Sequence, residues 1–94
     1  MDEPDAPRYD VLIDERVTKR ARKLPRKHFK QIMRRIKELE TEPRPNDSIH
    51  LKGKLEGYRI DVGEYRILYT VDFHYKTVVV YRLLNRKEGY PSSM

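Results

Sequence analysis

The chain has 94 residues and no cysteine, and its 21 lysines and arginines outnumber 15 aspartates and glutamates for a formal net charge of +6. This length suits one small domain, and the lack of cysteine excludes disulfide staples, thiolate nucleophiles and zinc sites built on cysteine. A basic excess of this size is typical of proteins that bind polyanions, with nucleic acid the first candidate and an anionic membrane surface the second. No apolar run reaches the length of a membrane span, and the acidic, proline-broken start is unlike a secretory signal. We therefore expect a cytoplasmic protein without a membrane partner.

The N-terminal third predicts one short strand followed by a helix. Apolar residues alternate from Tyr9 to Ile13, and Asp14 then supplies a good helix N-cap. The Leu24-Pro25 step ends this helix, because proline disfavours helical geometry in the residue before it. Ahead of the strand, two prolines and three acids with almost nothing to bury predict a disordered lead-in. The predicted organisation is a lead-in, a single domain and a short tail, over residues 1–7, 8–90 and 91–94.

A second helix gives the clearest periodic signal in the chain. Its apolar residues recur at helical spacing and form one stripe, made of Phe29, Ile32, Met33, Ile36 and Leu39. Pro43 and Pro45 lie beyond its end, and residues 43–54 are rich in Pro, Asn, Asp, Ser and Gly. This composition predicts an irregular connection.

The C-terminal half predicts a three-strand antiparallel meander. Tyr58–Val62 and Tyr65–Val71 are β-rich runs separated by Gly63-Glu64, a two-residue hairpin signal with Gly at its first central position. Thr77–Leu84 is a third run, dominated by valine. The predicted fold class is therefore α+β: a short N-terminal strand, two helices, then the meander, with the helices packed on one face of the sheet.

The hairpin turn fixes which residues share a face of the sheet. With Gly63 and Glu64 as the loop, Asp61 lies directly opposite Arg66. Arg59 then projects from the same face as Arg66, away from the helices. The other face collects the apolar residues that the helices must cover, namely Tyr58, Ile60, Val62, Tyr65, Ile67, Tyr69 and Val71.

The last strand has two possible registers, since the sequence does not fix the length of the loop before it. One register buries Val79, Tyr81 and Leu83 beneath the helices and turns Arg82 outward. The other places Arg82 against the core, where an unpaired charge is costly. We expect the first.

The outward face is predicted to be basic and is a candidate site for an RNA phosphate. Several basic groups on one side of a small sheet suit the grip of a phosphodiester. The alternative, which holds for most single arginines, is a solvated surface. The predicted members, including one nearby tyrosine, are Arg59, Arg66, Arg82, Arg86, Lys52, Lys54 and Tyr90.

Residues 16–37 form a second basic feature, with eleven lysines and arginines and no acid. Part of this run suits an ordinary solvated helix face. A stretch of one sign repels itself unless a polyanion compensates, so the run favours a docking surface for structured RNA. The residues predicted to make this contact from the second helix are Lys27, Lys30 and Arg34.

No metal or cofactor is expected. His28, His50 and His74 fall on a helix, a loop and a hairpin tip without ligand spacing between them. The sequence has no phosphate-binding glycine loop, dinucleotide fingerprint or serine nucleophile elbow. An enzyme built on this chain therefore works with Arg, Lys and Tyr.

Two segments carry a resemblance to a known family. Residues 51–69, which read LKGKLEGYRIDVGEYRILY, closely resemble the RelE/ParE toxin superfamily on its RelE side. The tail, Tyr81-Arg82 followed by NRKEGY at residues 85–90, resembles that family's closing motif of a His-Arg pair and a later Tyr. With the order of predicted elements, the resemblance covers residues 8–90.

The resemblance implies the toxin of a type II toxin–antitoxin system. Such a toxin is a ribosome-dependent endoribonuclease that inhibits translation by cleaving mRNA without a metal, through attack of a ribose 2′-hydroxyl on the neighbouring phosphate. Its partners are a cognate antitoxin, the ribosome and mRNA. By this resemblance Arg66 stabilises charge on the phosphate, Arg86 does the same or protonates the leaving oxygen, and Tyr90 orients groups or transfers protons. Arg59 occupies a position where the family has a basic residue.

The sequence departs from the family pattern at two positions. Asp61 stands where a second basic strand residue is common, and Asn85 replaces the usual His. Two alternatives are a ParE-like inhibitor of DNA gyrase with the same fold, and a non-catalytic RNA-binding module that uses the same basic surface. The presence of Arg66, Arg86 and Tyr90 together favours RNA cleavage.

Overall fold

A computed structural model describes residues 8–53 and 56–89. Its elements are β1 (Asp10–Ile13), α1 (Glu15–Arg22), α2 (Arg26–Glu38), β2 (Ile49–His50), β3 (Tyr58–Val62), β4 (Tyr65–Asp72) and β5 (Thr77–Asn85). The strands form one sheet in the order β1-β5-β4-β3-β2. All neighbours pair antiparallel except β1, which pairs parallel with β5. The predicted α+β class and the order of the predicted elements are confirmed, and the structure adds the short strand β2. The predicted lead-in and tail lie outside the described residues.

Local signals in the sequence account for both helices. The Asp14 carboxylate caps α1 by accepting a hydrogen bond from the Arg16 backbone N–H at 2.8 Å. Pro25 stands at the N-cap of α2, so the chain turns sharply between the two helices. The predicted apolar stripe of α2 faces the sheet: Ile32 and Ile36 are buried. Packing of this stripe, more than helix propensity, holds so short a helix in place.

One apolar core lies between the helices and the sheet. All seven residues predicted for the inward face of the β3–β4 hairpin belong to it. At its centre Tyr69 is fully buried, and its hydroxyl donates a 2.8 Å hydrogen bond to the Pro43 carbonyl. Burial is the main cause that raises the pKa of Tyr69 to about 12, so the hydroxyl stays protonated and remains a donor.

The register expected for β5 is wrong for two of its three inward residues. Val78 and Val80, not Val79 and Tyr81, are buried under the helices, whereas Leu83 is buried there as expected. The cause is a bulge in β5 opposite the Leu68–Tyr69 step of β4. A bulge inserts one extra residue and reverses the alternation beyond it. The core is therefore filled on both sides of the bulge, and Arg82 still faces away from the helices.

The connection after α2 is more regular than its composition predicts. It contains β2, whose residues Ile49 and His50 pair with β3, and the Leu51 N–H then donates to the Gly57 carbonyl at 2.8 Å. Leu51 is buried on the open face of the sheet, beside Leu68. A two-residue strand is too short to show a period of two, so the sequence pattern missed it.

Candidate active site

Three arginines on neighbouring strands share the sheet face that the helices leave open; we call Arg59, Arg66 and Arg82 the arginine face. Arg59 on β3 and Arg82 on β5 both lie opposite Leu68 of β4. Their Cα atoms are therefore separated by two strand spacings, about 10 Å. Arg66 precedes Leu68 by two residues on β4 and so projects from the same face. The sheet thus presents three guanidinium groups to one side.

The arginine face is partly sunk into the protein. The side chains of Arg59 and Arg66 are each only 20% exposed, and the Nε atoms of all three arginines are buried. An apolar cluster formed by Leu51, Leu68 and Leu84 lies on the same face. Partial removal from water strengthens the attraction between a guanidinium and a phosphate, and packing limits the rotamers that the arginines can adopt.

Asp61 lies inside the arginine face. Its Oδ1 is 3.5 Å from Arg59 Nε and 4.0 Å from Arg66 Nε, and its side chain is 40% exposed. The predicted pairing of Asp61 with Arg66 across the hairpin is confirmed. This carboxylate shields two like charges from each other, and an RNA phosphate that approaches the same guanidinium groups must compete with it.

Arg86 directly follows the end of β5, next to the β3–β4 turn. Its backbone N–H donates a 2.7 Å hydrogen bond to the Glu64 carbonyl, which continues the β4–β5 ladder by one step toward the β3–β4 turn. Arg86 is the first residue after β5, two residues beyond Leu84, which lies opposite Arg66. Its side chain is exposed.

A tight turn follows β5 and is anchored to helix α1. Glu88 Oε1 accepts a 2.7 Å hydrogen bond from the Asn85 N–H and forms an ion pair with Arg20. The hydrogen bond from the Arg20 side chain, followed by that from the Asn85 backbone, lowers the pKa of the Glu88 carboxyl. Sequence reasoning missed this ion pair, because nothing local links residues 68 positions apart.

The other predicted site residues are divided between several places. Lys52 is exposed in the connection before β3, whereas Lys54 and Tyr90 lie outside the described residues. Three exposed basic residues on α2 belong to the side of the protein opposite the arginine face, because α2 covers the other face of the sheet. They are Lys27, Lys30 and Arg34.

Acids from outside the basic run compensate part of its charge. Four of its eleven basic residues form ion pairs within the described ranges: Arg16 with Asp14, Lys19 with Glu15, Arg20 with Glu88, and Arg35 with both Glu38 and Asp47. The charge of these four residues is therefore partly balanced within the protein. The exposed residues of α2 remain the better candidates for contact with a polyanion.

Residues 8–53 and 56–89 lack two kinds of feature. No group of three His, Asp or Glu side chains there is placed to hold a metal ion. Within the same ranges no helix has both the length and the apolar character to cross a membrane.

Comparison with known proteins gives a consistent result. The chain is 32% identical over 85 residues to a RelE1 toxin of Methanocaldococcus jannaschii, and the match covers 87% of this chain and 93% of that protein. No family model matches the chain.

Solved structures that are similar to this chain are also RelE proteins. The RelE–RelB complex of Pyrococcus horikoshii is similar with a TM-score of 0.73 and 29% identity, over 86% of this chain and 98% of the solved one. A mutant of the Escherichia coli toxin RelE in the free state gives a TM-score of 0.67 and 28% identity, over 86% of this chain and 85% of the solved one. From its sequence and its fold, this chain belongs to the RelE toxin family.

Proposed function

We propose that this protein is the toxin of a type II toxin–antitoxin system and acts in the cytoplasm as a metal-independent endoribonuclease that cuts mRNA on the ribosome. The observation that carries the proposal is the arginine face, where three guanidinium groups with buried Nε atoms project from neighbouring strands. The forked guanidinium group of an arginine matches the geometry of a phosphate, and burial of Nε holds that fork in place. Arginines on an ordinary solvated surface are not buried in this way.

RNA cleavage of this kind needs charge stabilisation above all. When a ribose 2′-oxygen attacks the neighbouring phosphorus, a new O–P bond forms, the bond to the 5′-oxygen breaks, and the products end in a 2′,3′-cyclic phosphate and a 5′-hydroxyl. Negative charge accumulates on the phosphorane oxygens in between. In our proposal Arg66 and Arg86 donate to those oxygens, and Arg59 and Arg82 hold the adjacent backbone. Tyr90 assists the proton transfers.

The ribosome supplies the positioning that the chain lacks. No histidine of the described residues belongs to the arginine face: His28 contacts Tyr65 at 3.2 Å, His50 stacks on Tyr58, and His74 lies in the β4–β5 loop. Without an obvious strong base, cleavage depends on a substrate held close to the attacking geometry. Lys52 and the exposed basic residues of α2 are proposed to dock on ribosomal RNA through its phosphates.

The decisive experiment is cleavage of one mRNA, free and bound to ribosomes, by the purified protein with EDTA present throughout. We expect codon-spaced cuts in the ribosome-bound mRNA and little cutting of the free RNA, because the ribosome supplies the orientation. Primer extension locates the cuts. Equal cleavage of both forms would contradict ribosome dependence, loss of cleavage with EDTA would contradict metal independence, and cleaved or trapped DNA with gyrase would point to a ParE-like activity.

An antitoxin completes the proposal. Solved relatives from Pyrococcus horikoshii, Mycobacterium tuberculosis and Escherichia coli are complexes of RelE with RelB. The present chain combines a net charge of +6 with an exposed apolar side chain, Leu12, on its edge strand β1. This combination suits a partner segment that is acidic and partly apolar and that orders on binding.

Expression of the chain alone should therefore stop growth and translation, and co-expression with its RelB-type antitoxin should restore both. Incorporation of labelled methionine measures translation, and co-purification measures the complex. Normal growth and labelling while the full-length protein accumulates would contradict the toxin assignment.

A further inference from the structure

Several hydrogen bonds fix the turn that follows β5, over residues 85–88. Inside the turn, the Asn85 side chain accepts a hydrogen bond from the Lys87 N–H at 2.9 Å, and the Asn85 carbonyl accepts one from the Glu88 N–H at 2.9 Å. On the sheet side, the Arg86 N–H donates to the β3–β4 turn. Arg86 thus lies between two anchors, the sheet on one side and the Glu88 carboxylate on the other.

The Glu88 carboxylate is the only one of these anchors, within the described ranges, that reaches a helix. One of its oxygens accepts from the Asn85 N–H and also meets the guanidinium of Arg20 on α1. The side chains of Arg20 and Glu88 are 39% and 42% exposed. A half-exposed ion pair contributes little to folding stability. Removal of one partner should therefore leave the fold intact while breaking the contact between the turn and α1.

We propose that Arg20 and Glu88 are positioning residues for RNA cleavage: their ion pair fastens the turn over residues 85–88 to α1 and thereby fixes the backbone position from which Arg86 reaches the RNA. This inference rests on the proposed function. Neither residue touches the RNA in this arrangement. They act through Arg86, and a displacement of a reacting group by about 1 Å can lower a rate by as much as about 100-fold.

Arg20 belongs to the basic run over residues 16–37, which predicts contact with RNA. Its ion pair with Glu88 gives it a different role. If Arg20 were only a docking charge, removal of Glu88 would make the surface more positive and leave binding and cleavage equal or better. If the pair positions Arg86, removal of either partner slows the chemical step. The two roles therefore predict opposite effects for the Glu88 variant.

The test uses Arg20→Met and Glu88→Gln, which remove the charges and keep most of the side-chain volume. We expect each to lower the single-turnover cleavage rate about 10-fold or more at saturating ribosome–mRNA complex, with the half-saturating concentration little changed. The double variant should be no slower than the worse single variant, because both changes break the same contact.

The matched controls are Arg8→Met and Glu40→Gln. Arg8 and Glu40 form another exposed Arg–Glu ion pair, 3.3 Å long, near the start of β1 and away from the arginine face. Both controls should cleave at the wild-type rate. Unfolding midpoints for all variants should stay close to wild type, which separates a positioning effect from a folding defect.

Failure of the proposed function and failure of this inference give different results. If wild-type protein does not cut ribosome-bound mRNA, the proposed function fails. If wild type cuts and Glu88→Gln cuts at the same rate or faster, the ion pair does not position Arg86. Strictly multiplicative losses in the double variant would also overturn the inference, since they would show that Arg20 and Glu88 act independently.

Discussion

Arg66→Ala should lower single-turnover cleavage of ribosome-bound mRNA by about 100-fold or more, the usual loss when one preorganised donor to a developing oxyanion is removed. Arg66 lies in the middle of the arginine face, on β4 between the neighbouring strands that carry Arg59 and Arg82. Its Nε is buried, so its direction is set by the fold before RNA arrives. Folding should persist, because the side chain lies outside the main core.

The role of Arg66 is decided by two measurements on Arg66→Ala, namely the single-turnover cleavage rate and the affinity for the ribosome. Removal of one docking charge weakens binding and reduces the salt dependence, and the chemical step is unchanged once the complex is saturated. Removal of a catalytic donor lowers the saturated rate. Arg8→Ala removes one arginine at the opposite end of the sheet and serves as the control. A variant whose cleavage falls only in step with binding would move Arg66 from the catalytic group to the docking group.

Gly57→Ala should destabilise the protein by about 2–5 kcal/mol, the combined range for overpacking and for a non-glycine residue held at positive φ. Gly57 has φ +92°, and a Cβ built on it would lie 2.0 Å from the Tyr69 carbonyl oxygen. That oxygen belongs to β4 at the centre of the sheet and cannot shift easily. Because Gly57 leads directly into β3, the strain should also displace Arg59.

Gly53→Ala is the matched control for this prediction. Gly53 has nearly the same backbone angle, φ +85°, but a Cβ there would meet no atom within 4 Å. It should therefore cost only about 1–2 kcal/mol, the conformational part alone. Urea unfolding of both variants measures the difference. Equal destabilisation would show that close approach to β4 is unimportant and that only the backbone conformation matters.

Short-range chemistry in the sequence determined much of this protein. As predicted, Asp14 caps the start of α1, and the Leu24-Pro25 step separates α1 from α2. The Gly63-Glu64 turn sets the β3–β4 register residue by residue, because a two-residue loop leaves no freedom to slip and alternation then assigns each side chain to a face. For that reason the positions of Arg59, Asp61 and Arg66 on one face followed from the sequence alone.

Contacts between distant segments decided the rest. Strand β5 pairs with β4 on one edge and with β1 on the other, and it packs against the helices. The bulge depends on these distant contacts, so the local sequence pattern does not predict it. The parallel pairing of β1 and the short strand β2 likewise depend on partners far along the chain. The ion pair of Arg20 with Glu88 joins residues 68 positions apart, and only the packing of α1 beside the end of β5 brings them together. The sequence by itself thus determined the helices and the hairpin that carries Arg66, whereas the tertiary structure decided how the turn bearing Arg86 is held beside it.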